Sequence, residues 1–303
     1  MTYRMVTFLI PLLYIFFVPS YSEKPDPDAL VQNSKIFESM KLESKILGKD
    51  VEYSVYLPYD YFNSDRSYPV LYLLHGFSDD ETGWTQFGEV KHIADKAISS
   101  GDATEMIIVM PDAGVSWYVN NYDSSVEYEN FFFEELIPHI ESEYRARSGR
   151  QYRAVAGLSM GGFGSLVYGL RHPDKLSACA PLSAGVFTDD EIVEMPHDRW
   201  NHLLGEPFGI DLEGKDRISG NYKNYQYENM LNTYEEKEQN PVRFYIDCGD
   251  DDFLIKGNMA LHAAMIDREI DHEFRVRDGG HSWSYWRSAL PDVLAFISKS
   301  FHR

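Results

Sequence analysis

The chain has 303 residues, a net charge of −20 and 44% hydrophobic residues. That length fits one large α/β domain or two small ones, with enough apolar content for a sizeable core. The acidic balance argues against nucleic acid and anionic membranes as partners, because both demand a basic surface.

The N-terminus reads as a secretory signal. Arg4 precedes an apolar run over residues 5–18, and Pro19-Ser20-Tyr21-Ser22 offers small residues for a cut after Ser22. The run is short for a membrane span and a polar, Pro-rich stretch follows it. The expectation is a secreted or periplasmic protein with no stable membrane insertion after cleavage; an uncleaved anchor is the rival. The mature part, residues 23–303, has no obvious linker and is expected to form a single domain. Cys179 and Cys248 each sit in a strand-like run. Two buried free thiols are expected over a bridge, since neighbouring parallel strands seldom give disulfide geometry.

Residues 36–46 and 51–57 suggest two strands joined by a turn at Gly48-Lys49-Asp50, an antiparallel hairpin. An apolar strand over 70–75 leads into Gly76-Phe77. A helix is expected at 90–99, a buried strand at 106–110 and a long amphipathic helix at 127–144, with Phe132, Leu136, Ile137 and Ile140 inward. Strands follow at 152–156, 177–182, 242–248 and 272–276, and helices at 162–172, 258–268 and 284–300. Pro291 is expected to kink the last helix or to start its second half. Residues 186–240, rich in Tyr, Asn, Asp and Gly, break this rhythm and read as a lid-like insertion. Alternating strands and helices after an opening hairpin predict an α/β fold, a mostly parallel sheet with helices on both faces. Ligands on such sheets bind beyond the carboxyl ends of the strands.

Gly157-Leu158-Ser159-Met160-Gly161 stands between an expected strand and an expected helix. Strand, tight turn and helix form a nucleophile elbow, in which small neighbours allow a strained serine to stand clear of the sheet. A serine hydroxyl needs a base, and the base an orienting acid further along the chain. His281 follows Gly279-Gly280 in the loop after the last strand, downstream of every candidate acid, which makes it the expected base. Gly249-Asp250-Asp251-Asp252 offers three carboxylates. Like charges raise one another's pKa, so one should turn inward and the others outward; spacing does not choose among them. Met160 N–H, at the helix start, and Phe77 N–H, after Gly76, are the expected oxyanion donors. His75 is expected to brace that loop by a hydrogen bond.

Four separated motifs carry a family likeness: Leu73-Leu74-His75-Gly76, Gly157-Leu158-Ser159-Met160-Gly161-Gly162, Cys248-Gly249 with Asp252, and Gly279-Gly280-His281. Together they resemble the esterase D-like esterases, an α/β-hydrolase family that includes S-formylglutathione hydrolases, mycolyltransferases and the secreted feruloyl and acetyl-xylan esterases. The resemblance implies an α/β-hydrolase fold with Ser159, Asp252 and His281 as the triad. Asp252 follows from the family's Gly-x-x-Asp pattern, and Phe77 and Met160 match its oxyanion amides. The segment from Met110 to Asn120 is similar to one that borders the acyl pocket. Trp84, Trp117, Tyr118 and Trp283 are candidates to stack on a substrate, with core packing as the competing reading for each.

The expected activity is a serine carboxylesterase that removes acyl groups, feruloyl or acetyl, from carbohydrate. No cofactor and no metal are expected. The partner is an acylated carbohydrate or small ester. Acyl transfer to a sugar or lipid alcohol and S-formylglutathione hydrolysis are alternatives within the same machinery. A ligand-binding protein on an inactivated hydrolase fold is the non-enzyme alternative.

Overall fold

The computed structural model describes residues 34–234 and 241–301. The expected leader, the polar stretch after it and residues 235–240 of the insertion lie outside the described residues.

Strands β1 (Lys35–Ser44) and β2 (Lys49–Leu57) form the antiparallel hairpin. Its turn falls earlier than expected, at residues 45–48. Gly48 takes the positive φ of 64°, while Lys49 and Asp50 already pair with Ser44 and Glu43. The strands that follow are β3 (Val70–Leu74), β4 (Ile107–Pro111), β5 (Arg153–Leu158), β6 (Ala178–Leu182), β7 (Arg243–Gly249) and β8 (His272–Arg277). They assemble into one eight-stranded sheet in the order β1-β2-β4-β3-β5-β6-β7-β8. β2 runs antiparallel to β4, and all pairings from β4 to β8 are parallel. This is the α/β-hydrolase arrangement.

Every residue of β3, β4 and β6 is buried, as helices on both faces require. Alternation along β3 divides the core in two. Val70, Tyr72 and Leu74 face helix α2, which spans Tyr128–Phe131, a π-turn Phe132–Leu136 and Ile137–Glu143, together with α3 (Met160–Arg171) and α4 (Ile255–Asp267). Leu71 and Leu73 face α1 (Val90–Ser99) and α5 (Trp283–Phe301) on the other side. Phe132, Leu136, Ile137 and Ile140 of α2 are all buried. Pro291 neither starts nor divides α5, which runs unbroken through it. Proline removes one backbone donor, but Leu290, Val293, Leu294 and Ile297 are buried around it and hold the helix to the sheet.

The insertion is a chain of short helices. Trp200, Phe208, Tyr222 and Tyr225 are buried and continuous with the core that holds Trp117 and Phe163. Buried Arg217 ties the segment together, with Nε donating to Leu212 O at 2.8 Å and Nη1 to Ile192 O at 3.1 Å. Glu129, buried on α2, accepts from Arg171 Nε (2.8 Å), His172 Nε2 (2.7 Å) and Tyr225 OH (2.9 Å). Burial pushes its carboxyl up, but the His172 hydrogen bond and the Arg171 charge outweigh this and hold it below the usual range. The network joins the insertion to α2 and to the residue that ends α3. No helix among the described residues is long and apolar enough to cross a membrane.

Cys179 and Cys248 lie on adjacent strands, free and buried. Burial pushes both thiols up, Cys248 to about 12. Thiolate is the reactive form, so neither should react with Ellman's reagent in the native protein at pH 8, and two should react after denaturation. Rapid native labelling of either would contradict this packing.

Candidate active site

The elbow is where three backbones meet. β5 ends at Leu158, α3 begins at Met160, and Ser159 between them has φ 54° and ψ −115°. A non-glycine residue held there costs about 1–3 kcal/mol, which the surroundings must offset. They do so by hydrogen bonding: Ser159 N donates to Leu182 O, while Phe163 N and Gly185 N donate to Ser159 O, each at 2.9 Å. The close approach needs glycine. A Cβ on Gly157 would lie 2.4 Å from Gly161 O, and one on Gly161 would lie 2.5 Å from His75 O.

The hydroxyl that this turn presents is not isolated. His281 Nε2 lies 3.0 Å from Ser159 Oγ. His281 Nδ1 lies 2.9 Å from Asp252 Oδ2 and 3.1 Å from Oδ1. A carboxylate only accepts, so Nδ1 carries the proton and donates to Asp252. The Nε2 lone pair then faces the Ser159 hydroxyl, which donates to it. Of the three adjacent carboxylates, Asp252 turns inward and is 1% exposed, while Asp250 and Asp251 stay at the surface. Burial pushes the Asp252 carboxyl up. The His281 hydrogen bond, the Leu254 N–H and the imidazole's charge together outweigh burial, so its pKa falls below the ordinary aspartate value.

The remaining expected site residues divide by exposure. Met160 is the buried first residue of α3. A Cβ on Gly76 would sit 3.7 Å from Ser159 Cβ, so the Gly76–Phe77 backbone passes beside the serine. The half-buried Phe77 ring meets His202 of the insertion edge-on at 5.4 Å. His75 accepts from Ala113 N at Nε2 (2.9 Å) and donates from Nδ1 to Gly76 O (2.8 Å), bracing that loop.

Three of the four aromatic candidates are packing residues. Trp84 and Tyr118 have no exposed surface and Trp117 is 4% exposed. Trp84 Nε1 donates to Leu74 O, Trp117 Nε1 to Leu203 O and Tyr118 OH to His75 O, so their polar ends are used inside. Tyr118 also fills the space beside Gly164, and Trp117 the space beside Gly185. Only Trp283 is partly open, between Trp84 and the exposed Phe87. Sequence reasoning missed three neighbours of His281 and Asp252. Trp286 meets His281 edge-on at 4.9 Å and donates from Nε1 to Ser183 Oγ at 3.1 Å. Ser183 in turn helps to hold the Asp252 carboxyl below its ordinary range. Phe253 stands exposed against the imidazole. Trp286 reads as one more inward position of an amphipathic helix, and nothing in the chain marks Ser183 or the direction of Phe253.

The family model described as "Putative esterase" matches residues 44–297. The chain belongs to this esterase family. A solved ferulic acid esterase is 36% identical, with a TM-score of 0.75 over 88% of this chain and 99% of that one. Among the esterase relatives, the acetyl esterase of Caldicellulosiruptor saccharolyticus is 24% identical over 84% of this chain and 96% of its own. Esterase MT1326 of Mycobacterium tuberculosis is 28% identical over 80% of this chain and 54% of its own. This chain thus spans about half the length of that mycobacterial esterase.

Two outcomes follow from this geometry. Gly161→Ala should lower stability by about 1–3 kcal/mol, because the new methyl meets backbone carbonyls that cannot yield. The urea midpoint reads this, and an unchanged midpoint would remove the close approach as a constraint. Asp252 has a folded pKa below its ordinary 3.8, so its contribution to stability is complete above 3.8 and is lost as pH falls through the lowered value. Asp252→Asn should flatten that part of the acid limb in denaturation series between about pH 2 and 5. An acid limb of identical slope in both proteins would contradict the shift.

Proposed function

We propose that this chain is a serine carboxylesterase that releases acyl groups from carbohydrate, with Ser159, His281 and Asp252 as its triad. The observation that carries the reading is the hydrogen-bonded chain from Ser159 Oγ through His281 to buried Asp252, anchored at a backbone turn strained in the way a nucleophile elbow is. The relatives named ferulic acid esterase and acetyl esterase support the substrate class.

In this reading Ser159 Oγ attacks the ester carbonyl while His281 Nε2 takes its proton. Asp252 holds the imidazole tautomer and stabilises the imidazolium. The Phe77 and Met160 amides donate to the oxyanion, aided by the positive end of α3. His281 then gives the proton to the departing alcohol oxygen, and the C–O bond breaks to leave an acyl-serine. Water, deprotonated by the same imidazole, adds to the acyl carbon; the C–Oγ bond then breaks, His281 returns the proton to Ser159 Oγ and the carboxylic acid departs. The insertion, with His202 against Phe77 and Leu203 bonded to Trp117, is positioned to border the acyl group. The leader-like pattern of Arg4 and residues 5–22 supports a site of action outside the cytoplasm.

Nitrophenyl acetate, methyl ferulate and acetylated xylan test the reading. Ser159→Ala should reduce kcat by about 10,000-fold or more with the fold intact by circular dichroism. Wild-type activity in the variant, or no turnover of any ester by the wild type, would sink it.

A further inference from the structure

Phe253 is an exposed aromatic residue beside the His281 imidazole. The turn that carries it is rigid: Asp252 N donates to Gly249 O at 3.2 Å, Leu254 N to Asp252 Oδ1 at 2.9 Å and Ile255 N to Asp252 O at 3.0 Å. Asp252 and Leu254 turn inward, so the residue between them must turn outward, and Phe253 is 58% exposed. Its ring centre lies 4.6 Å from that of His281, with the planes at 48°. The placement of the acid thus dictates a fixed apolar surface beside the imidazole.

We infer that Phe253 is the platform for the alcohol half of the substrate, and that this half is an uncharged sugar. The inference rests on the triad reading above and adds to it the site of the leaving group. His281 Nε2 is the atom that returns a proton to the departing oxygen, so whatever that oxygen carries lies next to the imidazole, and Phe253 is the exposed aromatic ring packed on that imidazole. The oxyanion amides of Phe77 and Met160 belong to the carbonyl instead. A sugar ring presents C–H groups on its faces and hydroxyls around its edge. An exposed aromatic face buries the former.

The edge beside it suits the latter. Asp250, Asp251 and Asp278 are exposed, with carboxylate oxygens within 4.8 Å of one another. They flank the loop that carries His281: Asp251 N donates to Gly279 O and Gly279 N to Asp250 Oδ1. Carboxylates accept hydrogen bonds from hydroxyls and repel an anionic leaving group.

The test holds the acyl group constant and varies the alcohol. Values of kcat/KM are measured for feruloylated arabinose, methyl ferulate and the carboxymethyl ester of ferulic acid, with the matched acetyl esters in parallel. Phe253→Ala should lower the sugar-to-methyl ratio by about fivefold, mainly through KM, and Phe253→Tyr should restore it. The wild type should handle the anionic carboxymethyl ester worse than the methyl ester, and added salt should narrow that gap. A ratio unchanged in Phe253→Ala, or a preference for the anionic ester, overturns the inference while the triad reading stands. No turnover of any ester by the wild type overturns both.

Discussion

The contact between β5, the start of α3 and the end of β3 is the constraint on which the other features depend. Three chain segments meet there at distances that leave no room for a side chain: Gly157 against Gly161, and Gly161 against the carbonyls of Leu74 and His75. Only this proximity brings the Gly76–Phe77 loop beside Ser159 and lifts the hydroxyl off the sheet. The positive φ of Ser159 is a consequence of the same crowding. Six parallel or neighbouring strands and two layers of helix keep the strained turn in place, because relaxing it would pull α3 out of a core in which nearly every one of its residues is buried.

Buried carboxylates organise what surrounds the elbow, and each is held by several hydrogen-bond donors. Asp247 on β7 is fully buried and accepts from Tyr285 OH (2.6 Å), Tyr245 OH (3.0 Å) and Arg277 Nη2 (2.7 Å). Tyr285 packs on Gly279 as well, so this cluster joins β7, β8 and the first turn of α5 around the loop that carries His281. Asp252 fixes the imidazole within that loop. Glu129 does comparable work further out, tying the insertion to α2 and α3. Breaking any of these pairs would leave an uncompensated charge in the core, which is more damaging than losing the same pair at the surface.

Much of this architecture was legible in the chain. Strand and helix alternation and the position of Ser159 between β5 and α3 follow from local pattern, because periodicity and glycine placement are local properties. Position after the strand ending at Cys248 narrows the acid to three neighbours, charge repulsion implies that one turns inward, and only family resemblance chooses Asp252; the structure turns Asp252 in and leaves Asp250 and Asp251 out. The aromatics were the least legible. Trp84, Trp117 and Tyr118 read as candidate platforms or, with the greater weight, as core, and their indole and phenol groups find carbonyls inside the protein. Whether an aromatic side chain faces a core or a cleft depends on residues 10 to 86 positions away, which no local pattern reports. The hairpin turn differs from expectation because Gly48 alone takes the left-handed turn position, and Pro291, rather than starting a second half, lies within one continuous helix.

The sequence by itself determined the fold class, the elbow and the residue types able to perform acyl chemistry, since these depend on hydrophobic period, on glycines that permit close approach and on chain order. Only the tertiary structure decided which groups meet. The contact of His281 with Ser159, 122 residues away, and with Asp252, 29 residues away, arises where the segments that follow β5, β7 and β8 pack together at the carboxyl ends of the strands. Contact across that separation is a property of how the two cores close, and it has no counterpart in local sequence.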